Sequence, residues 1–329
     1  MFAIINANAR VLAAGAACLT FCAVHAAPAE PALRCATGRE APQALVAAEY
    51  GFKLKAQTSI KEAFLEYLAE DSLVLRPDLR LGRAFYTSAA DTQGRLDWYP
   101  TIADTSGSDD LGFTLGPWTY TAPAGATQVR GSFLTVWKRD AKCRWRVALD
   151  GGVTHAPPAS TPPALSASQV PQDPIHAPAS IADDPAGQAV ADFHGTAHQD
   201  GIAAGLRTFG RNAGFRLLAD NEAPMELGEA NEYLTHHARM EIWQEAARGR
   251  AADSTLLYAV GELVDGKKQA THTYVEIWQY DPKVANWGLR ILLINALSKS
   301  PPAVRLMNGE SRRHKIGTRH ELLIAHLHE

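Results

Sequence analysis

The stretches "GSFLTVWKRDAKCRW" (residues 131–145) and "HTYVEIWQYDPKVANW" (residues 272–287) have the same residue pattern. Each copy carries two tryptophans, one at the end of the first strand and one after a short polar turn: Trp137 and Trp145, then Trp278 and Trp287. Alternation of apolar and polar residues with a period of two is typical of strands, and the turn residues between two such runs predict an antiparallel hairpin. Because this hairpin pattern occurs twice, the domain that contains it is expected to occur twice as well.

The rest of the chain follows the same repeat. Residues 156–185 are rich in Pro, Ala and Ser and lack apolar periodicity, which is typical of an extended spacer. Matched residues recur in the same order on its two sides: Ile60, Phe64, Tyr67, Leu75 and Asp78, then Ile202, Leu206, Phe209, Leu217 and Asp220. The sequence therefore predicts two tandem domains, at 36–155 and 186–298, between an N-terminal segment and a tail at 299–329.

Either copy predicts the order of elements. In the first copy the pattern predicts helices over 42–58 and 59–71 with Ser59 as N-cap, a strand at 72–77, a short helix over 82–88, and strands from residue 94 onward. Helices followed by a run of antiparallel strands indicate the α+β class, with a curved antiparallel sheet wrapped over the helices.

The N-terminus reads as a secretory signal. Residues 1–26 carry Arg10 before an apolar stretch at 11–24 and end in small residues, which predicts cleavage after Ala26 and a mature protein in the periplasm or outside the cell. The apolar stretch is too short to span a bilayer as a mature anchor.

Removal of the signal would leave Cys35 and Cys143 as the cysteines of the mature chain. In an oxidising compartment they are a candidate disulfide, and two separate buried thiols are the alternative that the sequence leaves open. The net charge of -3, without a block of like charge, argues against nucleic acid or an anionic membrane as the main partner. Because no second long apolar run follows, we do not expect the mature chain to be embedded in a membrane.

The pattern as a whole resembles the nuclear-transport-factor-2-like superfamily, and within it the SnoaL-like and uncharacterised secreted branches. The resemblance rests on the two helices, the "LG.A" helix start, "SDDLGFTLGPW" at 108–118 and the closing "VWKRD....WRVALD". It implies a cone, in which helices close one side of a bent sheet around an apolar cavity for a small molecule. It also implies dimerisation through the outer face of the sheet, which a tandem chain could achieve internally as a pseudo-dimer.

Candidate catalytic residues lie in the second copy: His194, Asp220 and Glu276. Histidine is absent from the first copy between His25 and His155, which excludes a Ser-His or Cys-His pair there. Asp220 follows the second helix, where relatives place an acid or base, although an aspartate leaving a strand is also a common turn former. Glu276 shares a strand face with Tyr274 and Trp278, and the alternation leaves open whether that face is concave.

Ligand-binding positions are expected among aromatic and polar residues that could face a cavity: Tyr67, Trp98, Asp110, Trp118, Thr135, Trp243 and Tyr258. Asp110 has a plain alternative as part of a solvated turn. His194 and His198 are four apart, as helical metal ligands are, but the sequence offers no third ligand beside them, so we expect neither a metal nor a cofactor. "HELLIAH" at 320–326 lacks the second histidine of the zinc-protease motif, whose place is taken by Ile324.

These features favour an exported protein that binds a small apolar molecule in one or both cones. Two alternatives remain at this stage. One is an isomerase, dehydratase or cyclase type of enzyme that moves protons in the cavity of the second copy. The other is a structural pseudo-dimer that presents a surface to an envelope partner.

Overall fold

The computed structural model of the protein describes residues 35–38, 40–125, 128–157, 162–166, 184–211, 214–236 and 242–297. The predicted signal at 1–26, most of the spacer and the predicted tail at 299–329 lie outside the described residues. The helices are α1 (Glu40–Ala56), α2 (Ile60–Tyr67), α3 (Gly82–Ser88), α4 (Pro185–Asp200), α5 (Ile202–Phe209) and α6 (Leu227–His236). The strands of the first half are β1 (Leu68–Leu75), β2 (Leu79–Leu81), β3 (Arg95–Trp98), β4 (Ile102–Thr105), β5 (Leu111–Thr121), β6 (Gln128–Arg139) and β7 (Trp145–Thr154). Those of the second half are β8 (Arg216–Ala219), β9 (Ile242–Arg250), β10 (Leu256–Val264), β11 (Ala270–Asp281) and β12 (Asn286–Ala296).

Local signals placed several elements correctly. Ser59 caps α2 as predicted, since its hydroxyl accepts a hydrogen bond from the backbone N–H of Glu62 at 3.1 Å. The second helix ends earlier than predicted, and β1 begins at Leu68 instead of residue 72. Leu68 lies beside Val147 of β7, so pairing with a strand distant in sequence overrides the helical spacing of this segment.

Each half has its own sheet. The first sheet has seven strands in the order β2-β1-β7-β6-β5-β3, with β4 also paired to β5, and the second has five in the order β8-β12-β11-β10-β9. The α+β class is as predicted, but the sheets are mixed: β1 runs parallel to β7, and β8 parallel to β12. The strand that follows the helix pair in each half therefore joins the sheet in the direction of the last strand.

The two faces of each sheet pack into different apolar clusters. In β6, Phe133 and Trp137 point to the helices of the first half, while Leu134 and Val136 point to the opposite side. Irregular register between Val136 and Trp137 marks a bulge, a feature that bends a strand. The curved sheets thus hold an inner apolar cluster against the helices of each half.

The outer faces of the two sheets pack on each other. A third apolar cluster combines buried residues of both halves: Leu75, Leu111, Phe113, Leu115, Leu134, Val136, Ala148, Leu149, Val153, Leu218, Ala251, Leu256, Val260, Val275, Ile277, Ile291 and Leu293. At its rim the Gly107 N–H donates to Thr255 Oγ1 at 2.8 Å, and Gln279 Nε2 donates to Asp104 Oδ2 at 2.8 Å. The described residues consequently form one unit, and the boundaries expected for two domains stay predictions.

Two segments outside the sheets are tied to the first half. Cys35 and Cys143 form a disulfide with a Cα–Cα distance of 5.1 Å, so the pairing that the sequence left open is present. In the spacer, Leu165 packs beside Val46 and Ala103. None of the helices in the described ranges is long and apolar enough to span a bilayer.

Candidate functional site

The inner face of the second half carries a buried acid paired with a histidine. Glu276 on β11 is fully buried and faces the helices, which resolves the open question of its face. Its Oε2 accepts a hydrogen bond from Trp278 Nε1 at 2.8 Å, and its Oε1 lies 2.8 Å from Nε2 of His194 on α4. The carboxylate therefore orients the imidazole, whose side chain is 16% exposed.

Aromatic rings surround this pair. The ring of Trp243, on the edge strand β9, stacks on the imidazole of His194 with a centroid distance of 4.6 Å and an angle of 14°. Tyr274 lies edge-on to Trp243 at 4.6 Å, and Phe193 lies edge-on to Trp243 at 5.3 Å. Polar groups within such an aromatic wall are typical of sites for small molecules.

The hydroxyl of Tyr274 is buried and has no hydrogen-bond partner among the described residues. Burial raises the pKa of Tyr274 well above its ordinary value, and the nearby carboxylate of Glu276 raises it further. The phenol therefore stays protonated and retains a donor that lacks an acceptor. A buried hydroxyl without a partner costs about 1–3 kcal/mol, a cost that a bound acceptor would remove.

Charged residues border the site on the side of β9. Arg248 forms two hydrogen bonds with Glu245, each of 2.6 Å, and lies 3.9 Å from Asp184 at the start of α4.

An open groove of ≈ 860 Å³ adjoins these charged residues. It is lined by Asp184, Pro185, Gly187, Gln188, Ala189, Asp192, Phe209, Arg248 and Asn286. This lining includes none of His194, Glu276 and Tyr274, so the groove lies beside the histidine pair and does not contain it.

In the first half, a buried acid, Glu49, occupies the helix position that corresponds to His194 in the second half. Glu49 is the tenth residue of α1, as His194 is of α4, and it is fully buried. Its carboxylate accepts hydrogen bonds from Trp98 Nε1, from the hydroxyl of Thr114 and, at 3.2 Å, from Trp137 Nε1. Burial raises the pKa of Glu49 to about 7, although these three donors favour its ionised form.

Thr135 takes the place of Glu276 on the sheet of the first half. Its hydroxyl donates to Asp150 Oδ2 at 3.0 Å, and the other oxygen of Asp150 pairs with Arg76. Arg76 also donates to the hydroxyl of Tyr86 at 2.9 Å. Each of these polar groups has a protein partner, unlike the hydroxyl of Tyr274.

The structure brings together two of the three predicted catalytic residues, His194 and Glu276, and adds the predicted ligand residue Trp243. Asp220 lies elsewhere, because its Oδ2 accepts a hydrogen bond from the backbone N–H of Ala296 at 2.7 Å, at the end of β12. Asp220 therefore ties β8 to its neighbour strand, in keeping with the turn-former alternative.

Two predicted ligand residues lie between the halves. The Asp110 carboxylate accepts a hydrogen bond from the Ala252 N–H at 3.0 Å, which places it at the rim of the sheet contact. Tyr258 packs against the apolar cluster between the sheets. Residue type alone predicts a cavity position for both, but alternation along a strand does not show which face is concave. The remaining predicted residues lie inside the first half: Tyr67, Trp98, Trp118 and Thr135.

Sequence reasoning missed Glu49. It follows Leu45 and precedes Phe52 on one side of α1, so a carboxylate stands within the apolar stripe of a helix. That position, which corresponds to His194 on α4 of the second half, is the signal in the sequence.

Comparisons with known proteins find only partial likenesses to solved structures. No protein-family model matches the chain, and no curated protein matches it. Similar solved structures include an NTF-2-like protein of unknown function from Shewanella oneidensis, at 14% identity over 33% of this chain and 95% of that chain, with a TM-score of 0.28. A second is a ketosteroid isomerase-like protein from Erwinia carotovora, at 16% identity over 36% of this chain and 98% of that chain, with a TM-score of 0.31. A third is the CaMKII hub of S. rosetta, at 13% identity over 34% of this chain and 95% of that chain, with a TM-score of 0.29. The α+β class rests on the helices and sheets of the chain itself. The similar structures are described as NTF-2-like or ketosteroid isomerase-like proteins, and each covers about a third of this chain.

Proposed function

We propose that the second half binds a small molecule with an apolar or aromatic body and one hydrogen-bond acceptor. The observation that carries this proposal is the buried hydroxyl of Tyr274, which lacks a partner among the described residues beside the ordered pair of His194 and Glu276. The first half, where Glu49 already has three donors, serves as a folded support.

The ligand acceptor would take the hydrogen bond of Tyr274, and the rings of Trp243 and Phe193 would contact the apolar body. Trp243 is the natural point of entry because it lies on the edge strand β9 and is only partly buried. The partial exposure of His194 on the same side supports this route.

A thermal-shift screen of aromatic and apolar carbonyl compounds tests the proposal. A ligand at about 100 times its dissociation constant stabilises the folded state by about 2.7 kcal/mol. Tyr274→Phe should weaken the binding of a true ligand by about fivefold, because one neutral hydrogen bond contributes about 1 kcal/mol.

The matched control is Tyr258→Phe, which removes the same hydroxyl from the outer face of the same sheet. It should leave affinity unchanged. Compounds that bind equally well to wild type and to Tyr274→Phe would overturn the assignment of the site.

Proton transfer is a second candidate function, favoured by the 2.8 Å contact between His194 and Glu276. An imidazole oriented by a carboxylate can remove a proton from a bound carbonyl compound while Tyr274 donates to its oxygen. A ligand found in the screen should then exchange a carbon-bound hydrogen for deuterium in D₂O. His194→Gln should abolish this exchange, and exchange at the rate of free ligand with wild type would exclude the reaction.

We also propose that the chain is exported and works in an oxidising compartment, which the disulfide between Cys35 and Cys143 supports. Mass spectrometry of the protein from fractionated cells should find an N-terminus at Ala27. An intact N-terminus in the cytoplasmic fraction would contradict export.

A further inference from the structure

A short proline motif follows the last strand of each half. Thr161-Pro162-Pro163-Ala164-Leu165 comes after β7, and Ser300-Pro301-Pro302-Ala303-Val304 comes after β12. Both read as a hydroxyl residue, two prolines, an alanine and a branched aliphatic residue. The repeat predicted from the sequence therefore extends into the segments that follow β7 and β12.

In the first half the described part of this motif is bound between α1 and the turn from β3 to β4. The backbone N–H of Leu165 donates to the carbonyl of Pro100 at 2.8 Å. The hydroxyl of Tyr50 donates to the carbonyl of Leu165 at 3.0 Å, and that of Tyr99 donates to the carbonyl of Pro162 at 3.1 Å. The motif is thus recognised mainly through its backbone.

The register places the corresponding cleft of the second half within reach of the second motif. Residues that lie opposite one another form the row Thr154, Gly131, Trp118 and Trp98 in the first sheet, and Ala296, His272, Leu263 and Trp243 in the second. Three strand spacings, about 14 Å in all, therefore separate the end of β12 from β9. The chain from Leu297 to Val304 can span more than about 20 Å.

In the corresponding cleft of the second half, between α4 and β9, the helix is open at the position that matches Tyr50. Gly195 stands in α4 where Tyr50 stands in α1, and a Cβ added there would meet no atom within 4 Å. Gln244 follows Trp243 as Tyr99 follows Trp98, and its exposed side-chain amide can replace the tyrosine as a donor to a peptide carbonyl.

Charge is complementary at one position. Asp192 lies on α4 before Gly195, whereas Glu245 on β9 is already paired with Arg248 by two hydrogen bonds of 2.6 Å. Lys299 and Arg305 flank the second motif directly. Complementary charge fixes orientation more than it adds affinity, so the backbone contacts remain the main source of binding.

We propose that the cleft between α4 and β9 binds the chain's own proline motif at residues 300–304, as the cleft between α1 and β4 binds residues 162–165. The site is a peptide-binding groove for an extended Pro-Pro-Ala-aliphatic segment. Its occupation needs no ligand inside the second half, so it can be tested apart from the small-molecule proposal.

Cysteine cross-linking in the full chain tests this. Gly195→Cys with Val304→Cys corresponds to the observed neighbours Tyr50 and Leu165, in a background with Cys18 and Cys22 replaced by serine. Docking raises the effective concentration of the second thiol, so an intrachain disulfide should form at least about tenfold faster than in a pair with no docking. Peptide mapping without reduction identifies the linked residues and separates them from the native disulfide.

The control pair is Gly228→Cys with Val304→Cys, because Gly228 is an open helical glycine on α6. Tyr50→Cys with Leu165→Cys is the positive control. Equal rates for the pairs 195–304 and 228–304 would overturn the proposal, as would a disulfide that forms only between two chains.

A second measurement does not use cysteine. Val304→Asp should increase amide hydrogen exchange in α4 near Gly195, whereas Met307→Asp, three residues beyond the motif, should not. Unchanged exchange in Val304→Asp would also overturn the proposal.

Discussion

Glu49 and Glu276 are both fully buried carboxylates, but they are held in different ways. Glu49 accepts hydrogen bonds from neutral donors only, so burial dominates and raises its pKa to about 7. Glu276 has a histidine among its partners. Glu49 is therefore expected to make stability depend on pH, and Glu276 is tested by substitution.

Folding stability should fall with rising pH because of Glu49. Its pKa rises from 4.5 in the unfolded chain to about 7 in the folded one, so the folded state holds the proton more tightly. The resulting stability is fully present below pH 4.5 and is lost as the pH rises through about 7, a change of about 3 kcal/mol. Urea unfolding across this range should show the decline in wild type and a flatter profile in Glu49→Gln.

Glu70→Gln is the control for this titration, since its side chain is 91% exposed. Its profile should follow that of wild type. If Glu49→Gln also follows wild type, Glu49 is ionised in the folded state throughout the range.

Glu276→Leu should destabilise the second half by about 2–3 kcal/mol, because His194 Nε2 and Trp278 Nε1 would lose their acceptor inside the core. Glu276→Gln, which keeps one acceptor oxygen, should cost less. Chemical unfolding followed by tryptophan fluorescence measures both. Equal costs for Glu276→Leu and for Glu262→Leu on the half-buried part of β10 would contradict this role.

At the scale of elements, signals within a few residues were the most informative. The cap at Ser59, the helix Gly82–Ser88 and the two tryptophan hairpins were predictable from local pattern. The start of β1 was not, because it depends on pairing with β7, far along the chain. Glu276 and His194 were identifiable singly, but their contact depends on how α4 crosses the inner face of the sheet, which no local pattern encodes.

The disulfide holds the start of the first half to the tryptophan hairpin. It joins residues separated by 108 positions, and closure of so long a loop stabilises a fold by about 4–5 kcal/mol. Replacement of both Cys35 and Cys143 by serine should lower stability by an amount of that order in guanidinium unfolding. A native control under reducing conditions should match the double variant, and a loss below about 1 kcal/mol would mean that the loop is already ordered in the unfolded state.

At the scale of the whole molecule, the apolar contact between the sheets should make the halves unfold together. Leu134 is fully buried in that contact, so Leu134→Ala should cost about 2–5 kcal/mol and preserve a single transition. Circular dichroism and tryptophan fluorescence should give coincident curves. Leu54→Ala, at a side chain that is 68% exposed, should be nearly neutral, and two separated transitions in wild type would disprove the coupling.

The contact between the sheets also has a consequence for how the chain can diverge. Two halves joined within one chain do not separate on dilution. The outer face of each sheet has to fit only the sheet of the other half. In a symmetric homodimer every substitution appears twice across the axis, so both sites must change together. Here Glu49 and His194 occupy matching places in the two helices with different chemistry. The buried residues around Glu49 can therefore continue to stabilise the fold while those around His194 change to bind a different ligand.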